Sequence, residues 1–427
     1  MRNTFKIILI LILTLSFTDL KAGTLLDSLK SAYLNNPKLN AERANVRAIN
    51  EEKEEALSEF RPSFTISGYV SEQDNTKGSE SNYKPSEQSL LIEQKIFQGF
   101  GGIANLKKQK YEYSIAKFRL QKIEQEILLA AAQVHADLLL SQKKVDINRI
   151  NVDLLERQVE TDSDRLEKGE INLSDLAQSE ASLAGAEAKL IAAQNNIVSS
   201  KANFEKIISK KPTENIQEIQ FTNFKLPQSL AESYKISENE NPDLKIAILE
   251  HGKSQQDVVI ARSDLAPSAT LSYKIAEQND FSSTIQKRTQ QTLKATATWP
   301  LYSGGSNLSS LRKAKELENK YDLLLQYSKK TASTAVANTW SSYQSSKSVL
   351  NSIRSQVKAA EIANEGITLE YESGESNRTT LDVIQSHSIL LDAKINLATS
   401  ERNFLVSQFS LLSVVGRLTS KQLNLNQ

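Results

Sequence analysis

Residues 292–301 read Thr292-Leu293-Lys294-Ala295-Thr296-Ala297-Thr298-Trp299-Pro300-Leu301 and alternate polar with apolar side chains throughout. A period of two puts Leu293, Ala295, Ala297, Trp299 and Leu301 on one face of a β-strand, with the threonines and Lys294 on the other. Gly304-Gly305 follow, and residues 301–427 contain no proline. A long proline-free stretch rich in Ala, Leu, Glu, Lys and Gln favours helix. A strand with one apolar face therefore feeds a very long helical region.

The same succession occurs 205 residues earlier. Asn36-Pro37 matches Asn241-Pro242, Pro62-Ser63 matches Pro267-Ser268, Gly99 matches Gly304, and Gly169-Glu170 matches Gly374-Glu375. Beyond that glycine the shift becomes 207: Asp175 meets Asp382, and Gln178-Ser179 meets Gln385-Ser386. The chain is thus two tandem repeats, about 25–211 and 229–418, the second carrying two extra residues. Each repeat is expected to hold a helix broken at Asn-Pro, two strands (about 62–98 and 267–301), a helix from Gly102 or Gly305, a turn, and a returning helix of about 35 residues. The outgoing helix of the first repeat would run to about residue 168, close to 100 Å at ~1.5 Å per residue. Polar strand tips are expected near 72–85 and 278–288.

The returning helices carry a coiled-coil seam with alternating spacings of three and four. The first runs Leu176, Leu183, Ala186, Leu190, Ala193, Ile197, Ser200, Phe204, Ile207; the second runs Val383, Leu390, Ala393, Leu397, Ser400, Phe404, Ser407, Leu411, Val414.

Arg2 and Lys6 precede an apolar run over 7–15, and Lys21-Ala22-Gly23 offers a small-residue cleavage site. Residues 1–22 read as a signal peptide, too short for a membrane span, leaving 23–427 as the mature chain. No later stretch approaches the ~18 apolar residues of a transmembrane helix, so a membrane role would fall to the strands. Four strands per chain cannot close a barrel, and an open edge is forbidden in lipid. Two, three or four chains sharing eight, twelve or sixteen strands would each satisfy that constraint.

The 427 residues hold 52 Lys+Arg against 51 Asp+Glu, a net charge of +1, three histidines and no cysteine. Disulfides, thiol nucleophiles and Cys-based zinc sites are excluded, and a nucleic-acid partner has no electrostatic support. His135, His251 and His387 lie far apart without i,i+4 partners, so no metal or catalytic site is expected. Gly99-Phe100-Gly101-Gly102-Ile103-Ala104 fits G-x-G-x-x-A, but the helix after it does not stop for a second parallel strand. These glycines are better read as the bend from strand to helix. No cofactor and no enzymatic activity are expected.

Ser28-Leu29, Asn36-Pro37-x-Leu39, Pro62, Ile96-Phe97-Gln98-Gly99, Tyr371-x-x-Gly374 and Leu381-Asp382-Val383, set in duplicate, resemble the TolC family over nearly the whole mature chain. The resemblance implies an α+β membrane protein with the outer membrane efflux protein fold. In that fold three chains form a twelve-strand barrel continued by an α-helical coiled-coil tunnel in the periplasm of a Gram-negative bacterium. It also implies a periplasmic adaptor and an inner-membrane ABC or RND pump as partners, in type I protein secretion or drug efflux. Asp382 matches the first of two aspartates that ring the closed tunnel mouth in that family; Gln385 stands at the second. Arg378 and Tyr371 lie near its gate-linking Arg and Tyr. Gly169 and Gly374 would sit at the hairpin tips where the adaptor docks.

Asp382 also suits a helix start, where a carboxylate meets the dipole, and Asp175 is expected to serve as a cap. Gly99 and Gly304 are the expected barrel-to-tunnel turns. Phe97, Trp299 and Tyr302, with Tyr69, Tyr273 and Phe281, are candidates for aromatic girdles at the outer-membrane lipid boundary. A soluble periplasmic adaptor-like coiled-coil protein is the alternative; it would share the signal and the heptads but needs no paired strands with an apolar face.

Overall fold

The computed structural model describes residues 23–72, 84–213, 216–217, 225–282, 285–373 and 378–425. The signal segment and Gly374 lie outside these residues. In chain order the elements are α1 (Leu25–Asn35), α2 (Pro37–Ser58), β1 (Ser63–Val70), β2 (Ser86–Gln98), α3 (Gly101–Glu167) and α4 (Leu173–Ile208). The same series then returns as α5 (Leu230–Glu240), α6 (Pro242–Ser263), β3 (Ser268–Ser282), β4 (Ile285–Thr298), α7 (Ser306–Ser373) and α8 (Thr380–Val414). The starts of α1/α5, α2/α6, β1/β3 and α3/α7 are each 205 residues apart, and those of α4/α8 are 207 apart. Asn36 and Asn241 are extended, with ψ of 123° and 121°, because each precedes a proline.

The chain divides into two compact units. One comprises residues 41–122 and 242–332 and holds the strands. Its sheet is antiparallel throughout in the order β1-β2-β3-β4, so β1 and β4 are open edges. β2 pairs with β3 from Ser86↔Asn279 to Gln98↔Ser268, with a bulge between Lys95 and Phe97. β3 and β4 pair up to Ser282↔Ile285, so the pairing extends well into the eleven residues, 278–288, expected as a polar tip. Gly99 (φ +56°) and Phe100 (φ +70°) both take the left-handed conformation at the turn into α3. A Cβ on Gly99 would stand 2.8 Å from the Ser263 carbonyl oxygen, so glycine is required there for space as well as for φ.

The other unit comprises residues 23–40, 123–241 and 333–425 of the described chain. Every seam position of α4 is buried or half-buried, while nearly all intervening residues are exposed. α8 is different. Its seam is buried or half-buried as expected, and a second stripe, Leu391, Ala398, Leu405 and Leu412 with Phe409, is buried beside it. Ala393 packs with Val357 and Ala360 of α7, Ala186 with Val152 and Leu155 of α3, and Leu411 and Val415 with Ile236 of α5. α1 is fastened by Asn36, whose Nδ2 donates to the Ile207 carbonyl at 2.8 Å. Asn241 does the same for α5 through the Val414 carbonyl at 2.9 Å, and Arg417 donates to both carboxylate oxygens of Glu240.

His135 of α3 is 1% exposed, with Nδ1 2.9 Å from Ser28 Oγ. Burial lowers its pKa to about 4. An unfolded histidine titrates near 6.5, so the folded state takes up fewer protons and loses stability as pH falls from 6.5 towards 4, by about 3 kcal/mol over the whole interval. Thermal melting of the wild type between pH 6.5 and 5, above the main carboxylate range, is expected to show this decline, and His135→Asn is expected to flatten it. An equal decline in the variant would mean that another group titrates.

Candidate functional site

The returning helices begin at hairpin turns, and the turn chemistry is local. α3 ends in Gly169 with φ +74°; Gly169 N–H donates to the Leu166 carbonyl and Glu170 N–H to Arg165. This is a Schellman motif, which a left-handed glycine permits. Asn172 then caps α4: its side chain accepts from Asp175 N–H, and Asp175 returns the bond to Asn172 N–H. Thr379 and Asp382 do the same for α8, with Asp382 Oδ2 accepting from Thr379 N–H at 2.9 Å and Thr379 Oγ1 at 3.0 Å. The two aspartates are therefore the third residues of capping boxes, and the caps themselves are Asn172 and Thr379.

The bonds from Thr379, then the nearby Arg378 guanidinium, hold the Asp382 carboxyl below its usual pKa. Arg378 Nε is bound to Glu370 Oε2 at 2.7 Å. Gln385 is exposed one turn further along α8.

Tyr371 leads to a residue that sequence reading missed. Its hydroxyl donates to Asp162 Oδ1 at 3.2 Å and lies 2.9 Å from Thr380 Oγ1. Asp162 is fully buried in α3. It also accepts from Gln158 Nε2 at 3.0 Å and from Ser179 Oγ of α4 at 2.6 Å. Arg165 stacks its guanidinium 4.8 Å over the Tyr371 ring while its Nε donates to Glu170 Oε2 at 3.2 Å. One carboxylate thus joins α3, α4 and α7, and through Tyr371 the first turn of α8. Ser386, the repeat partner of Ser179, donates instead to the neutral amide oxygen of Asn364. No pattern local to Asp162 marks it, since its partners Ser179 and Tyr371 lie 17 and 209 residues away.

In the strand-bearing unit the sheet has two unlike faces. Directly opposed residues in an antiparallel pair share a face. The register puts Phe64, Ile92, Tyr273 and Leu293 in one row and Ile66, Leu90 and Ile275 in another, with Leu271 and Ala295, then Ala269 and Ala297, continuing the same face. These rows cover about 20 Å of strand. Ile66 is 85% and Leu293 70% exposed within the chain. The opposite face carries Ser63, Thr65, Ser67, Glu93, Ser89, Glu87, Ser272, Lys274, Lys294 and Thr292, with Lys274 Nζ on Glu87 Oε1 at 2.6 Å.

Phe97, Trp299 and Tyr302 lie at the helix end of the strands, all exposed, and Trp299 Nε1 donates to the Leu265 carbonyl. Tyr273 stands mid-strand on the apolar face. Tyr69 opposes Glu87 and so falls on the polar face. Phe281 carries Arg288 5.0 Å above its ring.

A sheet with one exposed apolar face, joined to long capped helices in a doubled chain, is the pattern of an outer-membrane duct, and comparison with known proteins agrees. The family model for outer membrane efflux proteins matches residues 28–209 and again 234–417. The chain belongs to the outer membrane efflux protein family. It is similar to the outer membrane efflux protein BepC of Brucella suis, with 25% identity over 404 residues covering 94% of this chain and 87% of that one. It is also similar to the outer membrane protein TolC of Escherichia coli, with 23% identity covering 94% and 84%. Among solved structures, the Campylobacter jejuni CmeC outer membrane channel superposes with a TM-score of 0.82 at 14% identity, covering 94% and 88%. CusC gives 0.81 at 15% identity, covering 92% of each chain. As a family member the chain is an outer-membrane efflux channel protein.

Asp382 and its capping bonds generate a pH-dependent expectation. With the folded pKa depressed, the ionised carboxylate stabilises the start of α8 above its unfolded pKa, and that stabilisation is lost as pH falls through the lower folded value. Asp382→Asn should therefore raise amide hydrogen exchange at the α8 N-terminus at neutral pH, and the difference should vanish in strong acid. A difference independent of pH would remove the ionised cap from the account.

Proposed function

We propose that three copies of this chain close a twelve-strand barrel continued by a helical tunnel. The assembly is a passive duct across the Gram-negative outer membrane, with the tunnel in the periplasm. The observation that carries this reading is the four-stranded sheet with both edges open and one face apolar. Residues 1–22 are its export signal, and 23–427 is one protomer built of two tandem repeats; the double match to the family model supports this. The duct completes a tripartite export machine with a periplasmic adaptor and an inner-membrane ABC or RND pump. The energy for transport comes from the pump, and the duct itself performs no catalysis. The names of the efflux relatives favour small-molecule export over protein secretion.

Within the duct the hairpin tips form the closed end. Gly169 and Gly374 mark the turns met by the adaptor, while Tyr371, Arg378, Asp382 and Gln385 line or support the aperture. The Asp162–Tyr371 bond fastens one hairpin of the protomer to the other, so loosening it lets the tips separate. Phe97, Trp299 and Tyr302 anchor the barrel at the lipid boundary, and Gly99 and Gly304 turn barrel into tunnel.

Detergent-extracted outer membrane should yield a particle of three mature chains. In planar bilayers, Tyr371→Phe and Asp162→Asn should both raise single-channel conductance over the wild type. Unchanged conductance in both variants would reduce the buried carboxylate to packing, and a monomeric soluble protein would sink the duct itself.

A further inference from the structure

In the strand-bearing unit α3 meets two helices of its own chain: α2, whose Lys53 Nζ stands 5.5 Å over the Tyr113 ring, and α6. α3 and α6 run antiparallel and are laced by ion pairs: Lys108 with Asp257 at 2.8 Å, Glu112 with Lys253 at 2.7 Å, Arg119 with Glu250 at 3.1 Å and Lys122 with Asp243 at 2.7 Å. α3 follows β2 and α6 leads into β3, so this seam continues the β2–β3 pairing. The repeat supplies a second seam with the same elements. Shifted by 205, α3 becomes the first part of α7 and α6 becomes α2; α6 and α2 have the same 22-residue length. α7 follows β4 and α2 leads into β1, and these are the two open edges. Their strands stand at opposite ends of the sheet order.

We infer that α7 of one copy packs on α2 of a second copy in the register of α3 on α6. The inference rests on the shared-barrel reading and adds the residue pairs that hold the copies together. Lys108–Asp257 maps to Lys313 with Glu52 of the partner subunit, and the ion pair is retained. Glu112–Lys253 maps to Leu317 with Ala48 of the partner subunit. Arg119–Glu250 maps to Leu324 with Asn45 of the partner subunit, and Lys122–Asp243 maps to Tyr327 with Lys38 of the partner subunit.

Two ion pairs of the internal seam thus become leucine contacts in the external one. The substitution has a physical reason. Covalent connection holds the internal seam in register, and half-exposed ion pairs suffice there although each contributes little. Separate chains have no such connection, and apolar burial drives their association more strongly. Leu317 and Leu324 are 39% and 43% exposed in the single chain, and Lys313, Glu52, Ala48 and Asn45 are exposed as well.

The absence of native cysteine makes the register directly testable. Side chains joined here by Lys–Glu pairs stand too far apart for a direct disulfide, so the probe is a short bis-maleimide. It is applied to outer membranes carrying Leu317→Cys with Ala48→Cys, and to a control carrying Leu317→Cys with Glu55→Cys, two helical turns or about 10 Å along α2. The first variant should give covalent dimer and trimer bands and none larger; the control should stay monomeric on the denaturing gel. In parallel, Lys313→Glu should lower the temperature at which the native oligomer dissociates, and adding Glu52→Lys should restore it. Equal linking of both cysteine pairs, or no linking and no charge-swap rescue while the native mass remains three chains, overturns this register and leaves the duct intact. A native mass of one chain defeats the duct reading and this inference together.

Discussion

Backbone N–H and C=O groups cannot be left unpaired in hydrocarbon, where each costs several kcal/mol. Every residue of β1 is exposed, and β1 and β4 each present a row of such groups. The chain therefore cannot be a finished membrane object. Its sheet faces lipid only as an arc of a closed ring, and the ring must be completed by strands of the same kind. Duplication makes this simple. A chain that already joins one hairpin to the next through β2 and β3 has solved the pairing problem once, and the same solution applied at its two ends closes the barrel.

The helices face a related constraint. A helix of 67 or 68 residues is far longer than a globular core can cover, so its stability comes from narrow stripes against neighbours. α4 buries one stripe and leaves the rest of its surface exposed. α8 buries two, and the second, Leu391-Ala398-Leu405-Leu412, also has a heptad period. A helix contacted on two sides in this way acts as the spine of its unit. The paired asparagines before proline then pin the short helices, each spending its side-chain amide on the last carbonyls of a returning helix. Asn36 and Asn241 thus serve two purposes: each forms the break and anchors it.

Much of this was legible in the sequence because it is periodic or punctuated. The 205 and 207 shifts located the element starts, the 292–301 alternation identified the apolar face, and both heptad seams point inward. What escaped either lies beside a stronger period or has no period at all. The second α8 stripe was masked because its leucines lie one residue from the first seam and a single-stripe reading absorbs them. The left-handed Phe100 was invisible because glycines surround it. The tight β3–β4 tip looked longer because its residues are polar on both sides of the turn. Asp162 was hidden most completely: it is one acidic residue on a helix with many, and only folding brings Ser179 and Tyr371 to it.

The contrast between Asp162 and Asp382 clarifies how such a tip can be both stable and releasable. Asp382 is satisfied by its own helix start: the Thr379 cap and the nearby Arg378 keep it ionised without reference to the other hairpin. Its charge therefore persists whether or not the hairpins move apart. Asp162 is satisfied across helices. Gln158 is on its own helix, Ser179 on the adjoining one, and Tyr371 on the other hairpin. Separating the hairpins removes only the Tyr371 donor, and a buried carboxylate that loses one of three donors is penalised but not stranded. In the second hairpin the repeat position of Asp162 is Ile367, and Ser386 donates instead to the neutral amide oxygen of Asn364. Near the turns the cross-hairpin hydrogen bond is thus made to Asp162, while further along α3 and α8 are also joined by Arg402 to Asp137 and Lys143 to Glu401. A partner that supplies a substitute donor, or admits water to Asp162, would offset the loss of the Tyr371 bond while the capping boxes hold the starts of α4 and α8 in place.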